Sequence, residues 1–279
     1  MDLGAALEVM DFLGQHGVAG TVLFGATGEF PHFTVEERQR LAHMAIKRSR
    51  MPVAINATHS NFRDVLALTE HAAGAGAAGV LVQPPYYFRY KPAEIRQFYL
   101  ELIDQVDGAI PVLLYNLPAF NNGVPIEVAL ELLKDGSAAG IKDSSGDWGY
   151  FSSLAALRQE HEFPLLVGND VILVSGLSAG ADGFISGCAC AVPELLMGIE
   201  KAYRSEDGDR VSKLGALLDE FLRWIEGFPG PYGVREALVV RKLPVGSRAI
   251  PFSQETEAHA ARFREWFPEF LKSVDEALA

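Results

Sequence analysis

A chain of 279 residues with 49% hydrophobic side chains can bury a sizeable core, yet no stretch is apolar for long enough to span a bilayer. The formal net charge of −12, with no basic run to meet phosphates, sets aside a nucleic-acid partner. Cys188 and Cys190, the two cysteines, suit neither a disulfide framework nor a four-ligand zinc site; with no signal peptide at the N-terminus, a reduced, cytoplasmic protein is expected.

From Leu3, the residues Leu7, Met10 and Leu13 keep helical spacing, and Gly14 to Gly17 stop the helix. Gly20 to Gly25 is a short apolar run expected to be a buried strand. Thr34-Val-Glu-Glu37 predicts a capping box, with Leu41, Ala45 and Ile46 continuing an amphipathic helix. The pattern then repeats: a strand over 52–56, a helix from Asn61 through Val65, Leu68 and Ala72, and a strand over 79–83. Pro92 opens a helix carrying Ile95, Phe98 and Leu102. The remaining strands fall at 111–115, 139–142, 164–168 and 183–186, with helices from about Pro125, through Leu154 and Arg158, over 170–179 and from Pro193. Beyond that only helical patterns follow, over 211–226, 233–242 and 254–279.

Continuously apolar strands alternating with helices indicate a parallel sheet covered on both faces. No Gly-x-Gly-x-x-Gly fingerprint or P-loop follows the first strand, which favours an α/β fold of the (β/α)8 TIM barrel type over a nucleotide-binding open sheet. Seven strands are read and the chain opens on a helix, so the first barrel strand is expected to precede Met1. The expected division is a barrel over 1–205 and a C-terminal helical extension over 206–279.

Function in such a barrel collects at the carboxyl ends of the strands. Those ends carry Gly25 to Glu29, Asn56 to Thr58, Pro84 to Tyr87, Tyr115 to Pro118, Lys142-Asp143, Gly168 to Asp170 and Ser186 to Cys188. They hold no histidine and no cluster of carboxylates, so a metal hydrolase fits poorly. Lys142 ends a short apolar strand and is followed at once by Ser, Gly and Asp. Burial disfavours the ammonium form of an amine, and a neutral amine attacks carbonyls to form a Schiff base. Taken alone, such a lysine is more often a snorkelling or salt-bridged side chain.

Three motifs, in order and each at a strand end, decide between these: Gly25-Ala-Thr-Gly-Glu29, Tyr115-Asn-Leu-Pro118 and Gly140-Ile-Lys142. Together they resemble the Schiff-base aldolases and lyases of the dihydrodipicolinate synthase and N-acetylneuraminate lyase family, over Leu3 to about Leu243. The resemblance implies that Lys142 condenses with the 2-oxo group of pyruvate or a pyruvate-derived acid, and that Tyr115 shuttles protons. It assigns the substrate carboxylate to Thr27 and its turn, flanked by Ala26 and Gly28, where backbone N–H groups converge. Gly168, Asp170 and Ile185 complete the substrate-binding set, with the backbone of 183–187 lining the pyruvyl group. Glu29 is expected to cap its loop, Tyr87 to reach a neighbouring subunit's site, and the helical tail to serve subunit contact in a tetramer built as a pair of dimers. Neither metal nor organic cofactor is implied, because the protonated imine is the electron sink.

Departures shape specificity. Ala26 stands where the synthases carry a relay hydroxyl, and Phe120 where they carry an arginine for the second substrate's carboxylate. Asp170 matches an acidic residue of the sugar-binding pattern of the lyases, but Val171 replaces its glutamate. The segment 25–30 is closest to dehydratases of oxo-deoxy sugar acids, whereas 115–119 looks more like the aldolases. The implied activity is a class I aldolase or lyase on pyruvate or a 2-oxo-3-deoxy acid, cleaving or forming a C–C bond through a lysine imine. Its alternatives are an oxo-deoxy sugar acid dehydratase, a 4-hydroxy-tetrahydrodipicolinate synthase, and a binding homologue without turnover.

Overall fold

The computed structural model describes residues 2–279. Its elements run α1 (Leu3–Gln15), β1 (Thr21–Leu23), α2 (Val35–Arg48), β2 (Val53–Asn56), α3 (Phe62–Ala75), β3 (Gly79–Val82) and α4 (Pro92–Val106). They continue through β4 (Val112–Asn116), α5 (Ile126–Lys134), β5 (Gly140–Asp143), α6 (Trp148–Arg158), β6 (Leu165–Val167), α7 (Leu173–Ser178) and β7 (Gly183–Phe184). Four helices close the chain: α8 (Pro193–Arg204), α9 (Gly208–Glu226), α10 (Tyr232–Val240) and α11 (Gln254–Leu278).

The seven strands form one parallel sheet in sequence order, β1 to β7, with a helix after each strand. That is the succession of a (β/α)8 barrel with seven of its strands; among the described residues, nothing pairs with the outer edges of β1 and β7. Two compact units share the chain. The sheet unit comprises Gly20–Gly25 and Thr34–Ile185; the second combines the N-terminal segment through Ala19 with Ala26–Phe33 and Ser186–Ala279.

In the sheet unit, Ile55, Val80, Val82, Leu114, Ile141 and Leu165 are almost wholly buried, and register places them on one face. Val65, Leu68, Leu102, Leu132, Phe151 and Leu154 from the helices are buried with them. Local chemistry sets the helix starts. Thr34 Oγ1 accepts the Glu37 N–H while Glu37 Oε2 accepts the Thr34 N–H, the reciprocal box expected from the sequence. Asn61 and Asp147 cap α3 and α6 through their side-chain oxygens. Buried Arg38 donates to the carbonyls of Asn56 and Thr58 at 2.6 and 2.9 Å, tying α2 to the end of β2. Desolvation lowers that guanidinium to about 10.

Two expectations change. The helix read over 170–179 begins instead as a 3-10 turn at Asp170–Ile172, because Asn169 Oδ1 takes the Val171 N–H and tightens the entry. The strand read over 183–186 stops at Phe184, and Cys188 and Cys190 lie beyond it in a 3-10 turn at Cys188–Cys190. Neither cysteine forms a disulfide among the described residues, and Cys188 is buried.

The core of the second unit is aromatic. Phe221 packs among Phe263, Phe267 and Phe270, and Trp224 stacks on Trp266 at 4.7 Å. Buried Glu236 on α10 is neutralised by Arg248 and Arg264, satisfying a carboxylate that would otherwise be expensive to bury. No helix among the described residues is long and apolar enough to cross a membrane.

Candidate active site

β4 and β5 pair in register, with Tyr115 opposite Lys142. Side chains alternate along a strand, so both leave on the face opposite Leu114 and Ile141. Lys142 Nζ lies 3.1 Å from Tyr115 Oη and 4.2 Å from the centre of its ring. Both residues are buried, Lys142 at 6% and Tyr115 at 2% exposure, so the contact is shielded from solvent screening. Amine and phenol are therefore within direct proton-transfer distance.

Gly168, just beyond β6, makes room for the lysine. A Cβ there would fall 2.5 Å from Lys142 Cε and 2.1 Å from Ser144 Oγ. The Gly168 N–H donates to the Asp143 carbonyl at 2.7 Å, which holds this empty position against the lysine stem. Ser144 carries a signal that sequence reading missed: its buried hydroxyl has no hydrogen-bond partner among the described residues, and alternation puts it on the same face as Lys142. Ile185 continues the ladder, its N–H donating to the Val167 carbonyl at 2.8 Å. Asp170, half-buried, opens the 3-10 turn after Gly168.

One step further along β4 and β5, Asn116 and Asp143 are buried and bonded to each other at 2.8 Å. Burial pushes the Asp143 carboxyl above its ordinary value, opposed by the bonds from Asn116 and Ser145. Tyr150 donates to the Val124 carbonyl at 2.9 Å, and burial, with Asp143 nearby in charge, drives its phenol far up.

Thr27, Ala26 and Gly28 belong to the second unit. Thr27 Oγ1 sits against the Gly187 backbone, 2.2 Å from where a Cβ would stand. Glu29, in a left-handed conformation at φ 54°, precedes a 3-10 turn over Phe30–His32 but makes no side-chain capping bond to it, contrary to expectation. Its carboxylate takes Arg235 Nη1 at 2.7 Å, and Arg235 Nη2 also holds the carbonyls of Val245 and Ser247. Tyr87 is 87% exposed at φ 81°, edge-on to Phe88, and so stands apart from the buried lysine.

Residues 1–267 match the dihydrodipicolinate synthetase family. A 4-hydroxy-tetrahydrodipicolinate synthase of Methanosarcina barkeri is 29% identical over 91% of this chain and 87% of its own length. YagE of Escherichia coli, a proposed 2-dehydro-3-deoxy-D-gluconate aldolase, is 30% identical over 90% of this chain and 85% of its own. The crystal structure of YagE with pyruvate superposes with a TM-score of 0.87, covering 97% of this chain and 93% of that one. Dihydrodipicolinate synthase of Aquifex aeolicus, 22% identical, shares the fold with a TM-score of 0.88 over 96% and 92% of the two chains. Motifs, sheet order and the match along nearly the whole sequence agree, and the chain is a lyase belonging to the dihydrodipicolinate synthetase family.

Proposed function

We propose that this protein is a class I aldolase that forms an imine between Lys142 and a 2-oxo acid of the pyruvate type. The observation that carries the reading is the buried 3.1 Å contact between Lys142 Nζ and Tyr115 Oη. The amine attacks the C2 carbonyl, Tyr115 delivers a proton to the carbinol oxygen, and water leaves to give the protonated imine. That imine draws in the electrons of the C3–C4 bond as the 4-hydroxyl passes its proton to the deprotonated Tyr115, releasing an aldehyde and an enamine. Protonation at C3 and hydrolysis return pyruvate and the free amine. Thr27 and its turn are assigned the substrate carboxylate, and Gly168, Asp170, Ile185, Ala26 and Gly28 the lining.

A 2-oxo-3-deoxy acid is the favoured substrate class. The name carried by YagE supports it, and so does Phe120, an exposed phenylalanine that offers no cation for a second carboxylate. Dehydration of an oxo-deoxy sugar acid is the second reading, favoured by Ala26, which has no hydroxyl to relay a proton. We assign the protein to the cytoplasm as a homo-oligomer, a tetramer built as a pair of dimers. Tyr87 and Phe88, 87% and 64% exposed, are the aromatic residues a second copy would cover.

Borohydride reduction with pyruvate tests the chemistry. A pyruvyl mass adduct on Lys142 that is lost in Lys142→Ala is expected; no adduct at saturating pyruvate would instead indicate a binding homologue. Products from 2-oxo-3-deoxy acids then separate aldolase, which yields pyruvate, from dehydratase, which does not. Sedimentation at several concentrations checks the assembly.

A further inference from the structure

The register that sets Tyr115 opposite Lys142 sets Asn116 opposite Asp143 one step later. Alternation sends this second pair to the other face of the sheet, where Leu114, Ile141 and Val167 are buried against the helices. The neighbouring pairs on that face, Leu114–Ile141 and Ile141–Leu165, are apolar. Here a fully buried carboxylate meets a buried amide, Asn116 Nδ2 donating to Asp143 Oδ1 at 2.8 Å.

Every other side-chain oxygen of the pair is also occupied. Asn116 Oδ1 accepts the Val124 N–H at 2.9 Å. Asp143 accepts the Ser145 N–H at 3.1 Å and the Ser145 hydroxyl at 2.9 Å. The Ser144 N–H donates to the Asn116 carbonyl at 2.8 Å, closing the same two strand ends through the backbone. Replacing a buried charged group with well-packed apolar residues is often neutral or stabilising, so stability alone gives little reason for this pair. What directional bonds add is a fixed displacement of one strand end along the other.

We propose that Asn116 and Asp143 are positioning residues, a cross-strand clamp on the back of the sheet that sets the Tyr115 Oη to Lys142 Nζ separation. The inference rests on the assignment of Lys142 and Tyr115 as the reacting pair. Both clamp residues point away from the substrate face, so they act through their chain neighbours. A misplacement of about 1 Å is enough to slow such a step roughly a hundredfold.

Asn116→Asp sets two carboxylates against each other, and the exchanged double variant N116D/D143N restores one donor facing one carboxylate. Ser145→Ala, which removes one bond to Asp143 and the acceptor of the Asp147 N–H, is the milder variant should N116D fail to fold. Wild type is first trapped with pyruvate and borohydride: without an adduct, the reading of Lys142 falls and the clamp with it. With the adduct in hand, the expected result is a kcat per trappable site roughly tenfold to a hundredfold lower in N116D. Ser145→Ala should lose a few-fold, KM for pyruvate should stay within about twofold, and the double variant should regain most of the rate. Variants that lose thermal stability and trappable sites but keep the wild-type rate per site would show a merely structural pair and overturn the clamp. A double variant no faster than N116D would overturn it too.

Discussion

In the proposed reaction Lys142 and Tyr115 divide the work between a nucleophile and a proton carrier, and each can be removed separately. Tyr115→Phe keeps the ring that packs beside the amine and deletes the oxygen 3.1 Å away. Imine formation should persist but slow, with kcat down by roughly a hundredfold to ten-thousandfold, the usual worth of a positioned acid–base group; stopped-flow or timed borohydride quenching checks it. Gly168→Ala probes the space around the amine instead. The added methyl would meet Lys142 Cε at 2.5 Å, and activity should fall at least about a hundredfold while the circular dichroism spectrum is kept. The sequence pointed to Lys142 and Tyr115 only through three motifs taken together, because a lone lysine ending an apolar strand also fits a snorkelling side chain. Ser144 and the Asn116–Asp143 pair were not legible there: a serine after a strand reads as a turn residue, and cross-strand partners depend on register, which no local pattern encodes.

At the scale of elements, the strand and helix alternation was readable because each strand is a short apolar run and most helices announce their caps. The Thr34–Glu37 box is one such signal, and Thr34→Ala should lower unfolding free energy by about 1 kcal/mol without changing kcat, measurable by urea titration. The entry to α7 was misread because Asn169 and Asp170 look like an ordinary helix start. Only the bond from the Val171 N–H to Asn169 Oδ1 reveals the tighter turn. Nor could the Glu29–Arg235 pair be anticipated, since its partners stand 206 positions apart.

For the whole molecule, Asp143 links the site's architecture to stability against pH. Burial holds its carboxyl above the ordinary 3.8, so only in the pH window between the unfolded and native values does the folded chain keep a proton that the unfolded chain has lost. The stabilising contribution is complete below that unfolded value and disappears as pH rises through the native one. Asp143→Asn should therefore gain stability relative to wild type as pH climbs above about 3.8, and show a constant difference below it. Parallel denaturant melts across pH test this; a difference that never changes with pH would refute it. The interleaved units have a bearing on synthesis as well. Ala26–Phe33 belongs with Ser186–Ala279, so the threonine assigned to the carboxylate leaves the ribosome long before the helices of its own unit exist. Contacts so distant in sequence form slowly, and the nascent chain can complete its strand-and-lysine half while the anchor still waits for the C-terminus.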